Sequence, residues 1–134
     1  MKKLLVATVL GLLATTAVAE NWIHLVDETN TRTGGVGAKW YADTDSVDKN
    51  RSRITFKLVT VDCSYKPSCQ GKSFKGATMK YRVEVNCQEG LARIIHRSMY
   101  YKGQGMTIPT TAEWQVPTSD SPMFYASGLI CSPQ

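Results

Sequence analysis

Histidine is nearly absent from this 134-residue chain, which holds only His24 and His96, and no two of its four cysteines stand at Cys-X-X-Cys spacing. Both gaps remove the usual ligand patterns for zinc. There is no G-x-S-x-G, no H-E-x-x-H, no phosphate-cradling glycine loop and no tight pair of carboxylates on one strand face. The common hydrolytic and nucleotide-handling motifs are therefore missing. No linker rich in Pro, Gly or Ser and no internal repeat divides the chain, so a single domain is expected. These absences point away from an enzyme and from a metal or cofactor protein.

The one long apolar run, Leu4 to Leu13, is too short for an ordinary membrane-spanning helix. It follows Lys2 and Lys3 and leads into Ala17-Val18-Ala19, the layout of a bacterial secretory signal peptide cut after Ala19. The next residue is Glu20, where a lipoprotein would need cysteine, so neither a membrane span nor a lipid anchor is expected. Residues 20–134 then form an exported domain, periplasmic, surface-located or secreted. Without Lys2 and Lys3 the basic count falls from 16 to 14 against 11 acids, and the net charge from +5 to +3. That mild excess is spread along the chain and argues for no nucleic-acid partner. Its plainest reading is a solvated polar face, with a patch for an acidic protein or polyanion as the alternative.

Strand patterns dominate what remains. In "ATMKYRVEVNC" the residues Ala77, Met79, Tyr81, Val83, Val85 and Cys87 alternate with Thr78, Lys80, Arg82, Glu84 and Asn86, which predicts a half-buried strand. "RSRITFKLVTVD" sets Ile54, Phe56 and Leu58 against Arg53, Thr55 and Lys57, with β-branched support. Weaker strands are expected in "NWIHLVDE", in "AKWYAD", from Leu91 to Tyr101, and around "AEWQVP". "TNTRTGGVG" has the composition of a mobile hairpin loop, and Gln88-Glu89-Gly90 that of a tight turn. A three-residue turn would send Leu91, Arg93, Ile95, Arg97 and Met99 to the Cys87 face. A two-residue turn would send Ala92, Ile94 and His96 there and set Glu84 opposite Arg93. Ser119, Asp120 and Pro122 resemble a helix start, with Phe124, Ser127, Gly128 and Cys131 at the spacing of one helical face. The expected fold is α+β: about six antiparallel strands with a short C-terminal helix packed on the sheet.

Four cysteines in an exported chain imply two disulfides, for which three pairings exist. Proximity in sequence favours Cys63 with Cys69, leaving Cys87 for Cys131. Other candidate residues have bland readings. His24, taken to share a face with Trp22 and Val26, and His96 are expected to be packing or surface residues, since no spacing with Met99 supports axial haem ligation. Asp43, Asp45 and Asp48 read as a turn whose side chains cap backbone N–H groups, because their spacing departs from a calcium loop. Trp22, Trp40, Tyr41, Trp114, Phe124 and Tyr125 are expected in the core.

In order, "NWIHL", "WYADTDSV", "RITFKLVTVD", "YRVEVNCQEGLARI", "YYKGQG", "WQVPTSDSP" and the final "LIC" resemble the surface-adhesin protein E family over most of residues 21 to 131. The matching positions are Trp22, Tyr41 with Asp43, Ser46 and Val47, then Cys87, Trp114 with Val116 and Pro117, and Cys131. The resemblance implies an antiparallel sheet with a C-terminal helix and a non-enzymatic binding role toward host matrix or serum proteins. Two features depart from it: the missing lipid-site cysteine, and the loop "CSYKPSC", which looks like an addition. Lys66, Lys72 and Lys75 cluster on and beside that loop and are the candidate contacts for a protein or polyanionic ligand. A periplasmic housekeeping or inhibitory protein bound to an envelope component or bacterial enzyme is the alternative function. Exposed sheet edges also leave a homodimer by strand pairing open.

Overall fold

The computed structural model describes residues 20–119 and 121–132. The signal-peptide expectation for 1–19 and the proposed role of Asp120 lie outside the described residues. Six strands, β1 (Trp22–Thr29), β2 (Val36–Asp48), β3 (Arg53–Thr60), β4 (Thr78–Asn86), β5 (Leu91–Tyr101) and β6 (Gln104–Thr107), precede one helix, α1 (Pro122–Cys131). They form a meander in which each strand pairs antiparallel with the next, in spatial order β1 to β6. Among the described residues no helix is long and apolar enough to cross a membrane.

Alternation decides which face is covered. Ile54, Phe56 and Leu58 of β3 stand beside Trp40 and Ala42 of β2 and Val83 of β4, and all are buried. α1 closes this face with Met123, Ala126 and Ile130. Ile54 and Phe56 are fully buried, and burial of side chains of this size contributes about 1.5–3 kcal/mol each. The helix begins where Ser121 accepts a hydrogen bond from the Phe124 N–H at 3.1 Å and Pro122 pre-sets the first turn. Its buried stripe is one residue away from the face expected from Phe124, Ser127 and Gly128. Of the expected face Cys131 does pack against the core, bonded to Cys87, whereas Phe124 is half exposed.

Both disulfides form as sequence proximity favours: Cys63–Cys69 with Cα atoms 6.0 Å apart and Cys87–Cys131 at 5.6 Å. The turn between β4 and β5 spans four residues, 87 to 90, longer than either length considered from sequence. Asn86 organises it by accepting the Glu89 N–H on its side chain and the Gly90 N–H on its carbonyl, and Gly90 takes φ +69°, which glycine adopts without strain. The register of β5 is a composite of the two alternatives. Near the turn, Ala92 and Ile94 join the core face and Arg93 stands opposite Glu84. Ile95 is then an extra residue between the pairs Val83–Ile94 and Arg82–His96, so beyond it Arg97 and Met99 take the core face and His96 the other. A similar bulge at Leu25 leaves Trp22 and His24 on one face of β1 and moves Val26 to the other, contrary to the shared face expected for them.

The sixth strand is not "AEWQVP" but Gln104–Thr107. The later segment still follows the outer edge of β5. Ile108 bonds Arg97, Thr110 bonds Ile94 and Gln115 bridges Ala92, so residues 104 to 115 cover that edge despite their irregularity. The turn after β1 is built around Asn30, 2% exposed, which accepts the Arg32 and Thr33 N–H groups and reaches Asp62 at 3.3 Å.

The stapled loop between β3 and β4 is seated through Gly37. An added Cβ there would stand 2.6 Å from the Tyr65 Oη and 2.7 Å from its Cε1, so the ring rests on the glycine. Gly37→Ala is expected to displace Tyr65, lower stability by about 1 kcal/mol and raise protease cleavage within residues 61 to 77. Urea midpoints and limited proteolysis of the two proteins measure both effects.

Candidate functional site: the uncovered sheet face

The face opposite α1 carries the polar members of every alternating strand. Lys57 of β3 and Lys80 of β4 are direct cross-strand partners there, flanked by Tyr41 opposite Lys57 and Ser98 opposite Lys80. Like charges so placed repel, a cost that antiparallel sheets usually avoid. Trp22 of β1 reduces it: the Lys57 ammonium lies 4.4 Å and the Lys80 ammonium 5.7 Å from the centre of its ring, whose face is electron-rich. Tyr41 adds a second ring 5.3 Å from Lys57. Burial, with Lys80 acting in the same sense, holds the Lys57 pKa below the usual lysine value, while Glu20 and Asp43 pull it back.

Glu20 supplies the carboxylate nearest this pair. One oxygen lies 3.4 Å from the Lys80 ammonium, and the other accepts the indole N–H of Trp22. Around them is a shallow depression of about 570 Å³, walled by Thr78, Tyr100, Gly105 and Thr107. Two ammonium groups, an aromatic ring face, hydroxyls and a half-exposed phenol can hold a carboxylate, sulfate or phosphate and stack against a planar group. The arrangement has no nucleophile paired with a base. His24 lies 2.6 Å from Asp27, and His96 is exposed on the same sheet face.

The other polar groups of this face serve the fold. Glu84 receives Arg53 at 2.9 Å from β3 and Arg93 at 2.6 Å from β5, and Arg93 stacks 4.3 Å from the Trp114 ring centre. Burial alone would raise the Glu84 pKa, but hydrogen bonds and charge from both arginines outweigh it and hold the carboxyl below its ordinary range. Arg82 donates to the Ser46 carbonyl and to Thr55, each at 2.9 Å, pinning the irregular end of β2. Asp43 and Asp48 cap backbone as expected, Asp43 accepting the Asn21 and Asp45 N–H groups and Asp48 that of Arg51, but the cluster forms the end of β2 and not the expected turn. Among the described residues no three His, Cys, Asp or Glu side chains stand together as metal ligands would.

The sequence candidates Lys66, Lys72 and Lys75 lie on the loop between β3 and β4, and none of them lines the depression at Lys57 and Lys80. Lys66 is half-buried and its ammonium is 3.1 Å from Glu28, which also accepts the Trp40 indole N–H at 2.8 Å. Lys72 and Lys75 are exposed. Of the six aromatics assigned to the core only Trp40 is fully there. Trp22 and Tyr41 face the other way, Trp114 and Phe124 are exposed, and Tyr125 packs partly against the core. For Trp22 and Tyr41 the cause is alternation, which places a side chain by its parity in the strand and not by its size, whereas Trp114 lies outside any strand and Phe124 on the outer side of α1. Trp22, Lys57 and Lys80 escaped the sequence reading because a seventeen-residue loop joins β3 to β4, from 61 to 77, and the pairing of residue 57 with residue 80 depends on how that loop closes. Comparison with protein-family models, curated proteins and solved structures finds no match for this chain.

Proposed function

We propose that the chain is an exported, non-enzymatic binding module of the surface-adhesin protein E type, which recognises a polyanion or the acidic surface of a host or envelope protein through its uncovered sheet face. The observation that carries this reading is the Lys57–Lys80 pair. Two lysines set side by side, held over one tryptophan and partly balanced by the chain's own Glu20, form an arrangement that an external anion stabilises. The ordered resemblance from Trp22 to Cys131 supports the adhesin type, and the leader-like segment at 1–19 supports export. Location at the surface or in the periplasm separates the adhesin from the inhibitory alternative, and protease treatment of intact cells beside periplasmic extraction distinguishes them.

The test is binding of the oxidised, exported protein to heparin as a model polyanion. Lys57→Ala with Lys80→Ala is expected to weaken binding about tenfold, equivalent to about 1.4 kcal/mol, and to flatten its dependence on salt. Unchanged affinity in that double variant removes the sheet face from the reading. Loss only in a Lys66→Ala, Lys72→Ala, Lys75→Ala variant moves the contact to the stapled loop.

A further inference from the structure

The face covered by α1 is not covered along its whole length. Where β4 begins and β5 ends, the stapled loop overhangs the sheet, and between them lies a cleft of about 430 Å³ to which α1 contributes no lining residue. Leu58, Met79, Tyr81 and Met99 form its floor, Phe74 and Tyr101 its wall, and the Cys63–Cys69 bond one end. Two methionines give the floor a shape that adjusts to an unbranched guest, and few polar groups are present to orient a peptide backbone.

Two further observations concern the wall formed by Phe74 and Tyr101. Phe74 has φ +47°, a left-handed conformation that a bulky side chain rarely adopts, and its ring meets Tyr101 edge-on with centres 5.6 Å apart. Strain of this kind persists where surrounding structure over-determines it, and it concentrates at ligand clamps. Beside the same ring lies the Lys102 ammonium, 5.3 Å from the Tyr101 centre. Among the described residues no carboxylate is within ion-pair reach of Lys102, whereas Lys66 on the other rim is already paired with Glu28. The cleft is thus apolar inside, and an uncompensated cation that is not itself a lining residue rests against Tyr101, one of its wall rings.

We propose that this cleft binds the alkyl chain of a free fatty acid, with the carboxylate at Lys102 and the tail against Met79 and Met99. The site shares Met99 with the depression at the lysine pair, whereas Met79 lines the cleft and not that depression. The test is titration of the disulfide-intact protein, carrying methyl-labelled methionine, with decanoate, decyltrimethylammonium, acetate and phosphatidylglycerol vesicles, the soluble amphiphiles below micelle formation. Decanoate is expected to shift the Met79 and Met99 methyl signals saturably at one equivalent, to bind about tenfold more tightly than the cationic amphiphile, and to leave heparin binding unchanged. Lys102→Glu, at the exposed turn after β5, is expected to weaken decanoate about tenfold while leaving the spectrum of the folded chain intact, and Phe74→Ala to weaken both amphiphiles. Absence of saturable shifts at the two methionines, equal affinity for both head groups, unchanged decanoate binding in Lys102→Glu, or response to vesicles alone overturns the assignment. Loss of heparin binding in Lys57→Ala with Lys80→Ala while decanoate still binds keeps the two sites distinct.

Discussion

Replacing Cys87 and Cys131 together by alanine is expected to lower the unfolding free energy by about 4 kcal/mol, the largest loss of any single cross-link in the chain. The two residues are 44 apart in sequence, and closing a loop of that length removes far more freedom from the unfolded chain than closing the six-residue separation of Cys63 and Cys69. In the chain-entropy treatment the shorter link contributes about 2 kcal/mol. The longer bond also acts on the folded side. α1 is only ten residues long, too short to hold its shape without tertiary contacts, and it touches the sheet through three buried side chains, Met123, Ala126 and Ile130. Cys131 is its last residue, so the bond holds the helix end against the β4–β5 turn and keeps that stripe on Ile54 and Val83. Urea unfolding of the oxidised protein and of the double variant, by fluorescence and far-ultraviolet dichroism, gives the difference. A loss no greater than that of the Cys63→Ala, Cys69→Ala variant would show that the helix stays docked by packing alone. For a small domain whose total stability is about 5–15 kcal/mol, the expected loss is a large fraction of what holds it folded.

How far the sequence reveals this molecule depends on the range of the interaction involved. β3 and β4 were legible because alternation over eight or more residues is a local property that one buried face imposes. The disulfide pairing was legible because sequence proximity favoured the observed one of three pairings. Position along β5 was not, since a bulge at Ile95 lets one strand obey two registers in turn, and no local pattern announces an extra residue. The sixth strand was misplaced for a related reason: each residue of Gln104-Gly105-Met106-Thr107 is exposed, so no buried face imposes alternation, and only its pairing with Ser98 to Tyr101 makes it a strand. The lysine pair is a step further away, because it requires the side of each strand and the closure of a seventeen-residue loop at once.

Glu84→Gln is expected to cost about 2 kcal/mol at neutral pH, and that cost is expected to shrink as the solution is acidified. Glu84 joins three strands in one row, with Arg53 of β3 as one cross-strand partner and Arg93 of β5 as the other. Its side chain is 14% exposed while both arginines are 31% exposed, so removing its charge leaves two guanidinium groups facing each other in a site that water only partly reaches. Breaking a fully buried pair costs about 3–5 kcal/mol, and the partial exposure of the arginines reduces this. The pH dependence follows from the direction of the Glu84 shift. Its folded-state pKa is depressed below the ordinary 4.5, so its contribution is fully present above that value and is lost as pH falls through the folded-state value. Glutamine has no such titration, so the stability gap between the two proteins should be constant from pH 7 to about pH 5, then close toward pH 3. Urea midpoints of both proteins across that range measure it. A gap that is unchanged at pH 3 would mean that the row is held by shape and by the Arg93–Trp114 stack, with the carboxylate charge contributing nothing.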